Sequence, residues 1–382
     1  MEKSKKILIV CGEASGDLHA ANLVNEIKKI DPSIRFTGLG GKKLKAAGVQ
    51  LYYDLTQLAV IGFWEVLKHL KTFKKIFRNV LEEAKKDKPD LAILVDYPGF
   101  NLRLAEKLHE MGIPVIYYIS PQVWAWGKNR LKSIKKNITR MVVLFPFEEK
   151  IYRQNNIPVS FVGHPLLDVV KTKEPKEAFL AKNGLSPDKL TISLLPGSRE
   201  KEVRTLLPVM LESAKEINEY FYGRVQFLIL RSTTVKKETF DQAMAGFNLP
   251  LKVISDATYD GIAASDFSLV CSGTATLETG ILGTPMIILY TVNFLTWALV
   301  RLMIKIPYIG LVNVVKEKKV CEEFIQFRCN PKAICDYLIP VLQDKDRISQ
   351  LKLELLDIKQ KLGAYGASQK AARVIVDSLK RS

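Results

Sequence analysis

Long hydrophobic runs are missing from this chain. No uninterrupted apolar segment in its 382 residues approaches the roughly 20 needed to cross a bilayer, so any membrane association is expected to be peripheral. The apolar run Ile7–Cys11 is too short for a signal-peptide core, and Glu13 and Asp17 follow at once. Cysteine pairs are missing too. Cys11, Cys271, Cys321, Cys329 and Cys335 are odd in number and contain no CxxC. That excludes a disulfide framework and a zinc site, and fits reduced thiols in a cytoplasmic protein. Low-complexity stretches are absent, and with 47% hydrophobic residues the chain is globular, long enough for two domains. No GxGxxG follows the first expected strand, so a dinucleotide fingerprint is not supported. The one Asp-x-Asp, Asp344-Lys345-Asp346, carries a lysine inside it beside an expected helix start. It is read as a solvated turn, and neither a metal nor a cofactor is expected.

What the chain does have is positive charge, +17 net. Such a balance favours an anionic partner: nucleic acid, a negative membrane surface or a phosphorylated substrate. No nucleic-acid motif accompanies the charge and the lysines are spread along the chain, so a non-catalytic nucleic-acid-binding protein is the weaker reading.

The remaining signal is a repeated strand–turn–helix pattern. The expected strands Ile7–Val10, Ile34–Thr37, Leu91–Val95, Val115–Ile119 and Met141–Phe145 form one array; Leu190–Leu195, Val225–Leu230, Leu251–Ile254 and Phe267–Cys271 form a second. This is the outline of two doubly wound α/β domains facing a central cleft. Their boundaries are expected at 1–170 and 171–345, with residues 346–382 as C-terminal helices packing back across both domains.

Several strand ends carry polar residues where such sheets bind ligands. After the first strand stand Gly12, Glu13, Ser15, Gly16 and Asp17, two acids and a serine suited to sugar hydroxyls. Leu91–Val95 ends on Asp96, a carboxylate costly to bury without purpose, with Asn101 close behind. Asp96 is the candidate general base, on condition that burial or a partner raises its pKa; the alternative is a helix cap. Ser120–Trp126 brings Trp124 and Trp126 to a strand end, to stack on a sugar, flank a lipid or pack locally. In the second array Gly197-Ser198-Arg199 places a guanidinium fork at a helix start, a grip for a diphosphate. Ser272, Gly273, Thr274 and Thr276 form a second turn into a helix, whose backbone N–H groups and dipole favour phosphate. Glu278 lies in its first turn, either capping the helix or binding a sugar hydroxyl.

Two segments are amphipathic or strongly apolar. Residues 59–78 carry Phe63, Val66, Leu67, Leu70, Phe73 and Phe77 on one stripe and lysines elsewhere; residues 293–307 contain Phe294 and Trp297 ahead of Arg301 and Lys305. Each is either a core helix or a segment lying on an anionic membrane.

Taken in order, Gly12-Glu13-Ala14-Ser15-Gly16-Asp17, Ser120-Pro121-Gln122-Val123-Trp124-Ala125-Trp126, Gly163-His164-Pro165, Leu195-Pro196-Gly197-Ser198-Arg199 and Ser272-Gly273-Thr274-Ala275-Thr276-Leu277-Glu278 resemble the lipid-A-disaccharide synthase family. The resemblance spans nearly the whole chain. It implies a type-B glycosyltransferase fold and an inverting transfer of 2,3-diacylglucosamine from UDP to the 6-hydroxyl of 2,3-diacylglucosamine 1-phosphate, giving a β-1,6 disaccharide 1-phosphate. Asp96 matches the family's proposed base. Ser198, Arg199, Ser272, Gly273, Thr274 and Thr276 match its donor diphosphate region, and Glu323 and Gln326 a segment on the nucleotide side. The chain departs from the family at Gly99, usually Asp, and at Glu322, usually Pro. The resemblance further implies a monomer or homodimer, peripheral on the cytoplasmic face of the inner membrane. Rival enzymes on the same architecture are a UDP-N-acetylglucosamine epimerase and a transferase of another lipid-linked sugar.

Overall fold

Ile7, Ile9 and Cys11 alternate with Leu8 and Val10 along one strand, and all five are buried. The first three join one apolar cluster and the other two join another. A strand buried on both faces belongs inside a parallel sheet covered by helices on each side. The computed structural model, which describes residues 4–55, 70–124, 130–293, 297 and 307–380, has that architecture.

The chain divides into two units: Met1–Pro165 with Leu362–Ser382, and Leu166–Lys361. In the first, β1 (Lys6–Cys11), β2 (Arg35–Gly40), β3 (Gln50–Asp54), β4 (Leu91–Val95), β5 (Val115–Tyr118), β6 (Arg140–Val143) and β7 (Val159–Phe161) form one sheet in the order 3-2-1-4-5-6-7. Every described pairing in it is parallel. The helix Ala14–Ile30 covers one face, joined there by Ala367–Lys380 from the C-terminal end; Leu70–Asp87 and Pro98–Glu110 cover the other. Within Leu70–Asp87, Phe73 and Phe77 rest on the core and Lys71, Lys74, Lys75 and Arg78 are exposed. Phe63, Val66 and Leu67 of that stripe lie outside the described residues, as do Trp126 and nearly all of 294–306.

In the second unit β8 (Leu190–Leu195), β9 (Val225–Leu230), β10 (Leu251–Ile254), β11 (Phe267–Cys271), β12 (Met286–Tyr290) and β13 (Glu323–Ile325) form a parallel sheet in the order 10-9-8-11-12-13. The long helix Glu200–Tyr220 packs on a cluster centred on Phe227, Phe240, Phe267 and Phe324. The helices Lys345–Leu356 and Ile358–Lys361 stay with this unit, and the chain leaves it after Lys361. All five cysteines are free and buried.

Each sheet reverses its winding once, between β1 and β4 in the first unit and between β8 and β11 in the second. Loops leaving neighbouring strands there run to opposite faces and leave a crevice at the strands' carboxyl ends. The loops concerned are those of Glu13 and Asp96, and those of Arg199 and Ser272.

Candidate active site

In the first unit, Cys11 pairs with Val95, so the chain emerges from β1 and β4 side by side. Gly12 and Tyr97 then meet closely: a Cβ on Gly12 would lie 2.3 Å from the Tyr97 ring. The glycine is there to admit the ring. Asp96 and Tyr97 both have left-handed backbone, φ 48° and 50°, where an L-residue costs on the order of 1–2 kcal/mol. Ile119, directly after β5, is left-handed as well. Such outliers gather where function requires a particular backbone.

The Asp96 carboxyl is half-buried. Burial, with the Glu13 charge adding to it, lifts the group to about 6, against a backbone hydrogen bond from Tyr97 that pulls it down. A carboxylate so poised is a better base than an ordinary Asp and still ionised at neutral pH. Glu13 and Ser15 are exposed beside it, and Gly16 is buried under the turn.

Asp17 and Asn101 do other work. The Asp17 oxygens accept the backbone N–H groups of Gly41, Lys43 and Leu44 at 2.7, 3.0 and 3.2 Å, capping the helix Lys42–Ala46. Three amides satisfy the carboxylate, so in this structure it serves the scaffold. Asn101 is fully buried and donates to the carbonyls of Val95 and Asp96. It holds the loop and has no surface to offer a substrate.

Trp124 sits edge-on to Phe147, 5.5 Å between ring centroids, and Phe147 stacks on Phe145. Its indole nitrogen is buried and faces the Glu148 carboxyl. Glu148, 3% exposed, had no role in the sequence reading. Burial pushes its carboxyl up to about 8, so it is mostly protonated at pH 7. Its Oε2 accepts the Phe145 N–H at 3.3 Å. A glutamate three residues after a helix cap was the available signal.

In the second unit the two predicted anion turns differ. At the first, the N–H groups of Ser198 and Arg199 both donate to Glu202 Oε2, at 3.0 and 3.2 Å, and Arg199 Nη1 donates to Oε1 at 2.8 Å. Gly197, φ 119°, leaves room for that carboxylate. The Arg199 side chain is 80% exposed. The fields of Arg199 and Glu202 both reach Cys271 and Tyr290, which places them over the ends of β11 and β12.

At the second turn, the helix Thr274–Leu282 follows Gly273 with no side-chain cap, so its first N–H groups keep their capacity for an anion. Thr274 is exposed at this end. Ser272 gives its N–H to Leu289 and its hydroxyl to the Ile309 carbonyl. Thr276 is fully buried, its hydroxyl on the Gly273 carbonyl. These two residues shape the turn, the Thr276 N–H also donating to the Gly273 carbonyl, and the anion capacity lies in the backbone N–H groups of Gly273, Thr274 and Ala275. Glu278 is half-buried, and burial raises its carboxyl.

Glu323 and Gln326 are also engaged internally. Glu323 accepts from the N–H groups of Ile309 and Gly310 and from Asn313 Nδ2, which caps the helix Leu311–Lys316. Gln326 clasps the backbone of Val292 through both amide atoms. Asp344 caps the helix Lys345–Leu356 through the Arg347 N–H. Among the described residues no group of three His, Cys, Asp or Glu side chains is placed to hold a metal ion, and no helix is long and apolar enough to cross a membrane. A hollow of about 540 Å³ beside β10 lies away from the winding reversal; Lys182 and Asp260 on its wall already hold Glu174 and the backbone of Lys173 and Glu174.

Two Rossmann-like domains, each with polar loops at its winding reversal, define the type-B glycosyltransferase class of fold. Known structures agree. The calicheamicin glycosyltransferase CalG4 matches with a TM-score of 0.64 at 12% identity, covering 99% of each chain. The UDP-GlcNAc 2-epimerase from Neisseria meningitidis bound to UDP-GlcNAc matches at 0.61 and 13%, covering 99% of this chain and 100% of that one. Likeness at this level fixes the fold and leaves transferase and epimerase undivided. Sequence divides them: the model of the lipid-A-disaccharide synthetase family matches residues 7–375, and the lipid-A-disaccharide synthase of Syntrophus aciditrophicus is 46% identical over 380 residues, 99% of each chain. This chain belongs to the lipid-A-disaccharide synthetase family.

Proposed function

We propose that this chain is the inverting glycosyltransferase of lipid A biosynthesis that joins UDP-2,3-diacylglucosamine to 2,3-diacylglucosamine 1-phosphate. The acceptor's 6-hydroxyl oxygen attacks the donor's anomeric carbon from the face opposite the diphosphate. Its proton passes to Asp96, the carbon–oxygen bond to the diphosphate breaks, and the electron pair leaves with UDP. The new bond is β-1,6. Charge growing on the departing diphosphate falls to the Arg199 guanidinium and the uncapped amides at Gly273–Thr274, which need no reorganisation as the bond breaks. We assign Glu13 and Ser15 to acceptor hydroxyls, and Glu278 to the donor sugar.

The observation that carries this reading is the Asp96 carboxyl: strained into place at the winding reversal, half-buried, and raised to about 6. The two acylated substrates reside in a membrane leaflet, so we assign residues 59–69, the exposed Lys71, Lys74, Lys75 and Arg78, and residues 293–307 to peripheral contact with an anionic cytoplasmic membrane face, supported by the net charge of +17. The test is incubation with both acylated substrates in mixed micelles and analysis of the product by mass. Disaccharide 1-phosphate and UDP support the reading. Turnover of soluble UDP-N-acetylglucosamine alone, with no disaccharide, would replace it with an epimerase.

A further inference from the structure

The backbone that carries Asp96 is strained and pinned, and the pins have no contact with solvent. Asp96 and Tyr97 are consecutive left-handed residues, and the Asp96 carbonyl is held at that turn by two donors. Tyr117, on the neighbouring strand β5, gives its hydroxyl at 2.5 Å, and Asn101, one turn into the following helix, gives Nδ2 at 2.8 Å. Both side chains are completely buried. Asn101 ties down the Val95 carbonyl as well, at 3.2 Å. From the other side the Tyr97 ring is set against Gly12. We propose that Tyr117 and Asn101 are positioning residues for the transfer, a buried clamp that fixes the Asp96 carbonyl and thereby aims its carboxylate at the acceptor hydroxyl. Neither can touch a substrate, so each acts only through Asp96.

A clamp that serves the fold alone and one that aims a base differ in what they change. The groups that reach the Asp96 carboxyl are Glu13 from the loop after β1, the backbone N–H of Tyr97 beside it and Tyr117 from β5. With the clamp loosened, the carboxyl turns toward water and away from the Glu13 field, and its pKa falls toward the ordinary range. The Tyr117→Phe variant removes one oxygen and leaves the ring packed. It should lower kcat about ten- to a hundredfold, the scale of a misaimed group. The acidic midpoint of its pH–rate profile should move below that of the unaltered enzyme, and UDP affinity should stay within about twofold. Asn101→Ser should act in the same direction, and serves where Tyr117→Phe melts early. A folded Tyr117→Phe protein with unaltered kcat and midpoint overturns the clamp, as does parallel loss of UDP affinity and turnover. The inference rests on Asp96 being the base. An active Asp96→Asn enzyme removes that reading, whereas an inactive Asp96→Asn beside an unaltered Tyr117→Phe removes the clamp alone.

Discussion

The two winding reversals of this chain share a topology and differ in chemistry. At the first, between β1 and β4, the loops bring two carboxylates together, and burial with mutual repulsion raises one of them to about 6. At the second, between β8 and β11, the loops bring a guanidinium and an uncapped helix N-terminus. On the proposed function, one crevice takes a proton and the other holds an anion. A shared backbone plan sets where ligands go, and the few residues after each strand set what they are.

Substitutions at the two crevices should therefore fail differently. The largest effect is expected from Asp96→Asn, which should cut turnover by about 10³-fold, within the range for loss of a general base, and leave UDP binding intact. Arg199→Ala should lower kcat/KM for the donor by about 10²-fold, the scale of losing one charge-stabilising donor, with UDP affinity falling in parallel. Transfer by the unaltered enzyme should rise with pH through about 6 as Asp96 loses its proton, and level off above; an activity maximum at pH 5 would count against this base.

The same raised pKa has a cost in stability. Its sign follows from linkage: a carboxyl whose folded pKa lies above its unfolded value of 3.8 favours the fold below about pH 4. That contribution is lost as pH rises through about 6. Replacing the charge with a neutral amide should thus stabilise the protein at pH 8, by at most about 3 kcal/mol given the size of the shift. Denaturant titration of Asp96→Asn checks this, and a destabilised variant would contradict it. The smallest effect is expected from Glu13→Gln, which should move the acidic midpoint of the rate profile down by a few tenths of a pH unit, since the Glu13 field is secondary to burial.

Much of this plan was legible in the sequence. Leu91–Val95 is five apolar residues ending on a carboxylate, and both the strand and the odd placement of Asp96 follow from that pattern. The strands Leu190–Leu195, Val225–Leu230, Leu251–Ile254 and Phe267–Cys271 stand at their expected bounds. The three-residue strand β13 did not declare itself, being too short for a period. Side-chain roles were harder. Asp17 looks like a ligand in sequence because its partners, Gly41, Lys43 and Leu44, are 24 to 27 residues away. Glu323 hides its cap on Ile309 and Gly310 in the same way. Tyr117 was invisible for the opposite reason: in an apolar strand, periodicity registers a buried ring and says nothing of where its hydroxyl ends. Carboxylates and hydroxyls near a site are thus divided between substrate and scaffold by contacts that sequence spacing does not carry.

The division of labour itself is open to one direct measurement, calorimetric titration of UDP into Asp96→Asn and Arg199→Ala proteins. The account predicts that the first binds UDP as the unaltered protein does and the second at least about tenfold more weakly, one charge-assisted contact being on the order of 1.5–3 kcal/mol. The reverse pattern, with UDP lost on changing Asp96 and kept on changing Arg199, would contradict it.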